Sequence, residues 1–141
     1  MGKPGVVFVK IAIDFPPLWD EIDAAFHVKG RKVIYAWGDT IYNPYGMPVP
    51  PVLMDHEMVH GHRQGKDVIG WWRRYIEDPV FRLNEEIPAH IAEYNHMIRQ
   101  GNRNDRRQAL KLVSGRLSAP LYGGLITKAK AKALLKAGEG F

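Results

Sequence analysis

The chain has no cysteine. That excludes a disulfide framework and any thiolate metal site, so an ion held here would need histidine and carboxylate ligands. Long apolar runs are also missing. Nothing approaches the ~20 consecutive apolar residues that span a bilayer. The first apolar stretch, Val6 to Ile13, is broken by Lys10 and followed at once by Asp14. The start, Met1-Gly2-Lys3-Pro4-Gly5, does not read as a signal peptide. The expectation is a protein with no membrane-spanning segment and no membrane partner.

What is present fits an ordinary globular protein. A length of 141 residues with 45% hydrophobic and 25% charged residues suits one domain, residues 1–141, around one core. The net charge of +5 is uneven: residues 101–141 carry a net of +7 and residues 1–100 a net of −2. A basic tail over about 102–141 could bind nucleic acid. No aromatic-rich groove accompanies it, so solvated Lys and Arg on short helices are the simpler reading, as part of the same domain.

Periodicity sets a coarse order. Val6 to Ile13 reads as a strand, Leu18 to Phe26 as a short helix, Lys32 to Trp37 as a second strand, and Thr40 to Asn43 as a third or an extension of the second. After a loop rich in Pro and Gly, a helix starts near Pro51 and stops at Gly65. Asp67 caps another, with Trp71, Trp72 and Tyr75 as core and Arg73 and Arg74 facing solvent. Asp78-Pro79 opens a longer helix that Pro88 should kink or delay to about Asn84. Asn104 or Asp105 starts a further helix, and Thr127 a last one. Strand, helix, two strands and then helices make an α+β fold.

The segment that carries chemistry is His56-Glu57-Met58-Val59-His60. Residues four apart share a helix face, so both imidazoles can turn to one point. Such a pair suits Zn²⁺, and the Glu beside the first His suits a general base for water. The pattern arises by chance in roughly one chain of this length in a few hundred.

Catalytic zinc takes three protein ligands. On the later helix Glu86, His90 and Glu93 follow i, i+4, i+7 spacing. Glu86 is preferred, three residues before the small Ala89 that would let two helices approach, with Glu93 and His90 as alternatives. Tyr94, His90 and His62 are candidate oxyanion donors or supporting residues. His62, two residues from His60, points away from it on the helix. His27 and His96 read as surface residues. Asp39 makes a turn or contacts substrate.

His56-Glu57-x-x-His60-x-x-x-Gln64, then Trp72-x-x-Tyr75, then Phe81-Arg82-Leu83-x-x-Glu86-x-x-Ala89, resembles the small gluzincin-type metallopeptidase-like proteins of phages and prophages. Trp37-Gly38-Asp39-Thr40-Ile41-Tyr42-Asn43-Pro44 and Leu117-Ser118-Ala119-Pro120-Leu121-Tyr122-Gly123-Gly124 fit the same pattern, so the resemblance covers roughly residues 30–135. Pro88 and His62 depart from it.

The resemblance implies a minimal zincin-like fold: a short N-terminal sheet whose edge strand lines an active-site cleft, then a helical half carrying the ligands. It implies one Zn²⁺ per chain held by His56, His60 and Glu86, with Glu57 as catalytic base. Trp37, Gly38, Asp39, Thr40 and Ile41 would form the strand along which an extended substrate pairs. The implied function is hydrolysis of amide or peptide bonds in a peptide or protein substrate. The alternative is a virion or assembly component with a structural or silent zinc site, in contact with other phage structural proteins. The implied location is host cytoplasm or virion.

Overall fold

The computed structural model describes residues 10–99, 101–122 and 124–140. Its first part holds β1 (Lys10–Ala12), α1 (Trp19–Phe26), β2 (Tyr35–Trp37) and β3 (Thr40–Tyr42). Helices follow: α2 (Pro51–Gln64), α3 (Val68–Glu77), α4 (Pro79–Ile98), α5 (Arg103–Leu117) and α6 (Lys128–Ala137), with a 3-10 turn at Pro120–Tyr122. The architecture is α+β and mostly helical. Among the described residues no helix is long and apolar enough to cross a membrane.

The strands order as β1-β3-β2, with β3 in the centre, parallel to β1 and antiparallel to β2. Gly38 and Asp39 join β2 to β3, and Gly38 takes φ +62°, which a side chain would resist. The sheet is smaller than the apolar pattern suggests. Lys32 to Ile34 do not pair, Ile13 lies beyond β1, and residues 6–9 of the expected first strand lie outside the described residues.

Local chemistry accounts for the helix ends. Pro51 occupies the first turn of α2, where a missing N–H costs nothing, and Gly65 ends it at φ +62°. Asp67 accepts from the Gly70 amide at 2.9 Å, and Asp78 from Val80 and Phe81 at 3.0 and 3.2 Å. The Asp78 cap starts α4 at Pro79, so the expected delay to Asn84 does not occur. Pro88 sits inside a continuous helix; the carbonyl it leaves unpaired belongs to exposed Asn84, where water can reach it. The expected start of α5 at Asn104 or Asp105 is also corrected. Asn102 and Asp105 form a reciprocal capping box at 2.9 and 3.2 Å, and the helix begins at Arg103.

Among the described residues the apolar core falls into three clusters. An aromatic one joins Ile22, Tyr35, Trp71, Trp72 and Tyr75 under the sheet. A second joins Tyr94, Ile98, Ala109, Val113 and Leu135 from α4, α5 and α6. A third joins Leu83, Leu117 and Ala131. As expected, Arg73 and Arg74 are exposed while Trp71, Trp72 and Tyr75 are buried. The Arg74 guanidinium lies 4.4 Å from the centre of the Phe81 ring.

Candidate metal centre

Helix α2 buries His56, Glu57, His60 and Gln64, positions that fall on one helical face. That face meets α4, where Glu86, Ala89, His90 and Glu93 are buried. Ala89 is wholly buried, so a small side chain stands where the two helices meet. On its other side α2 approaches the β2–β3 hairpin at Gly61. A Cβ there would come within 2.4 Å of the Gly38 carbonyl oxygen, so only glycine allows this packing.

Three donors converge between α2 and α4. His56 Nε2 lies 3.3 Å from Glu86 Oε1, and His60 Nε2 lies 3.1 Å from Glu86 Oε2. These spacings match the ~3.3 Å edge of a tetrahedron with zinc–ligand bonds of ~2.0–2.1 Å. Suitable ligand atoms of His56, His60 and Glu86 all lie within 4.8 Å of one another, so the group could hold a metal ion. All three are buried, at 7, 5 and 3% exposure. Glu86 Oε1 has no hydrogen-bond partner, as expected of an acceptor awaiting a cation. Glu86 Oε2 also accepts from the Tyr75 hydroxyl.

A second, overlapping group, His56, His90 and Glu93, meets the same distance criterion. Several of its atoms already have partners. His56 Nδ1 lies 2.8 Å from Glu93 Oε1, the Arg116 guanidinium holds the other oxygen of Glu93, and His90 Nδ1 donates to the Glu86 carbonyl at 2.8 Å. Glu93, weighed from sequence as a ligand, therefore lies behind His56, on the far side of its ring.

Electrostatics follow from burial. Burial opposes charge on His56, but the neighbouring Glu86 and Glu93 carboxylates outweigh it and push its pKa up to about 10. Burial also acts to raise Glu86, yet His60 and His56 hold its carboxyl well below the ordinary range. Glu57 goes the other way: burial raises its pKa against the pull of His56 and His60. His90 falls to about 4, through burial first and the neighbouring His56 second. Carboxylates that draw a proton onto His56 would draw a divalent cation in the same way.

Two cavities flank the cluster. One of about 150 Å³ reaches His56, Glu57, His60 and Glu86 and is walled by aromatic residues that include Tyr75 and Tyr122. One of about 270 Å³ opens between α2 and the hairpin, lined by Gly38, Asp39, Thr40, Ile41, Met58 and His62. Glu57 borders both.

The remaining sequence-derived residues divide. Tyr94 is corrected: its hydroxyl donates to Glu139 at 2.7 Å and its ring belongs to the α4–α5–α6 core, so it cannot serve the centre. His62 is exposed and lines the larger cavity, away from the ligand cluster. His90 is buried beside His56, with ring centroids 4.7 Å apart. His27 is exposed, whereas His96 is half-buried and bonded to Asp55 at 2.6 Å.

Trp37 to Ile41 border the larger cavity only in part, and they do not form one edge strand. Trp37 ends β2, Gly38 and Asp39 turn, and Thr40 and Ile41 lie in the central strand, flanked on both sides. The outer edge of β2 is taken as well. The Gln64 amide donates to the Ala36 carbonyl at 2.8 Å and accepts from the Gly38 amide at 2.6 Å, and Trp72 Nε1 also reaches Ala36 at 3.0 Å. Gln64 thus occupies the Ala36 carbonyl and the Gly38 amide, so the expected pairing of an extended substrate along Trp37 to Ile41 finds those backbone groups taken.

Sequence reasoning missed Gln64's clamp, Arg116, and Tyr75 and Tyr122 as neighbours of the cluster. No local pattern signals a partner 23 residues away, as Arg116 is from Glu93.

In comparisons with known proteins, no family model matches the chain, and neither a curated protein nor a solved structure shows significant similarity.

Proposed function

We propose that this chain is a zinc-dependent hydrolase of amide or peptide bonds, of gluzincin type and phage-associated. The observation that carries the reading is the convergence of His56 Nε2, His60 Nε2 and the Glu86 carboxylate, at 3.3 and 3.1 Å, beside a buried Glu57 that borders an accessible cavity. A cysteine-free His₂Glu set suits zinc and leaves a fourth position open. The ion supplies Lewis acidity, lowering the pKa of water toward ~7 and polarising a carbonyl.

The chain's own groups do the rest. Glu57 accepts a proton from the attacking water and passes it to the leaving amine, so that hydroxyl adds to the carbonyl carbon as the C–N bond breaks. Burial raises the Glu57 pKa above the ordinary carboxylate value, which suits a group that must both take and give a proton. Tyr122 borders the same cavity as Glu57. Burial, then Glu86, raises its pKa, keeping the hydroxyl protonated as a donor for the developing oxyanion. The aromatic cavity and the hairpin cleft receive the two sides of the substrate.

The test is metal content by elemental analysis with a hydrolysis screen, on wild type, His60→Ala and Glu57→Gln. About one zinc per chain, lost in His60→Ala, is expected. Glu57→Gln should keep the zinc and lose ~10²–10⁴-fold in rate, the usual worth of a general base. Folded protein that refuses added zinc would overturn the reading. The depth of the ligands favours one alternative, a phage assembly component whose ion serves structure; zinc binding without hydrolysis in wild type would select it.

A further inference from the structure

We infer that Glu93 and Arg116 are a positioning pair that decides which nitrogen of His56 faces the ion and which of two overlapping donor groups takes it. The inference rests on the metal reading above and adds residues that reading does not use. His56 belongs to both groups, His56–His60–Glu86 and His56–His90–Glu93. A single imidazole can present Nε2 to the first or Nδ1 to the second, and the choice depends on what the other nitrogen binds.

Glu93 makes that choice. Its Oε1 lies 2.8 Å from His56 Nδ1, so the ring proton is held there and Nε2 is turned toward Glu86. Glu93 is itself fixed from outside the α2–α4 pair: its other oxygen accepts from Arg116, in the last turn of α5. The guanidinium places a permanent positive charge on the second group, which repels an ion there. His90 Nδ1 is committed to the Glu86 carbonyl at 2.8 Å, so only its Nε2 is left for the second group, where it would share an ion with a Glu93 already held by Arg116. Arg116 thus ties the basic C-terminal tail to the centre as a working part of it.

The pair is tested on full-length protein with Glu93→Ala, Arg116→Met and Arg116→Lys, folding being checked by circular dichroism. Zinc affinity is read by competition with a chromophoric chelator, the ligand field by the visible spectrum of the cobalt form, and the His56 Nδ1 proton by NMR. Glu93→Ala should weaken zinc ~10–100-fold, the usual cost of losing a residue that orients a histidine ligand, and should abolish the His56 Nδ1 proton resonance. Arg116→Met should weaken zinc ~10-fold and change the cobalt spectrum as the second group competes, while Arg116→Lys should recover most of the loss by restoring the charge. Unchanged affinity and spectrum in Arg116→Met, or Lys no better than Met, would overturn Arg116's role. A His56 resonance that survives Glu93→Ala would overturn the pair. The resonance is read without metal, so wild type that shows it and binds no zinc defeats the metal reading while leaving the Glu93–His56 contact standing.

Discussion

Helix α4 serves two interfaces of opposite chemistry. Toward α2 it buries Glu86, His90 and Glu93 against His56, Glu57 and His60. Toward α5 and α6 it buries Tyr94 and Ile98 against Ala109, Val113 and Leu135. The apolar seam stabilises the fold by ~25 cal/mol per Å² removed from water. Around His56 and His60 the polar seam takes Glu57, Glu86 and Glu93 out of water, each at a cost of several kcal/mol unless paired. Replacing such groups by apolar residues is often neutral or stabilising, so stability does not explain the polar seam. A divalent cation would, by supplying the positive charge that Arg116 and a proton on His56 provide only in part.

The largest expected effect tests whether the seams are independent. Leu135 is wholly buried, so Leu135→Ala should cost about 2–5 kcal/mol, read as a lower denaturant midpoint. Zinc affinity of the folded fraction should stay within about twofold, because distant sites add. Parallel loss of zinc would break the comparison. Two glycines give the next, smaller contrast. Gly61→Ala forces a Cβ against the Gly38 carbonyl, and the required backbone shift should cost about 1–3 kcal/mol. Gly115, inside α5, has nothing within 4 Å of the added Cβ. Gly115→Ala should therefore stabilise by about 0.4–1 kcal/mol, by restricting the unfolded chain. Equal effects at the two positions would show that the α2–hairpin contact is not tight.

What could be read from the sequence was local. Pro51, Asp67 and Thr127 mark helix starts because their effect lies within three residues. His56 and His60 share a face through one helical turn, and the small Ala89 was enough to bring Glu86 opposite them. Relations across the chain were not legible. Glu93 lies on the same face of α4 as Glu86, and spacing alone cannot tell a ligand from the residue that orients one. Tyr94 follows Glu93 directly, yet its side chain turns into the α5–α6 seam, while Tyr122, from a 3-10 turn far along the chain, comes to the cavity. The resemblance implied an edge strand at Trp37 to Ile41. Nothing in them showed that β1 would cover one side of β3, or that Gln64 would cover the free side of β2.

The smallest effect concerns Glu85, a further buried carboxylate between α2 and α4, whose charge is met by Arg63. Glu85 accepts from Arg63 Nε and Nη2 at 3.0 and 2.8 Å and from Trp71 Nε1 at 2.9 Å. Burial acts to raise its pKa, but the Arg63 and Trp71 hydrogen bonds outweigh it and hold the carboxyl below its ordinary value. A group with a depressed folded pKa binds its proton first in the unfolded chain. Its contribution is therefore complete above the ordinary carboxylate pKa of ~4.3 and is lost as pH falls through that value toward the folded one. Urea midpoints of wild type and Glu85→Gln, followed from neutral pH into that window, should differ at neutrality and converge as the pH drops. Curves that stay parallel would mean that Glu85 draws nothing from its charge. The ionised carboxylates of the seam that then depend on a cation would be those around His56 and His60, as the comparison requires.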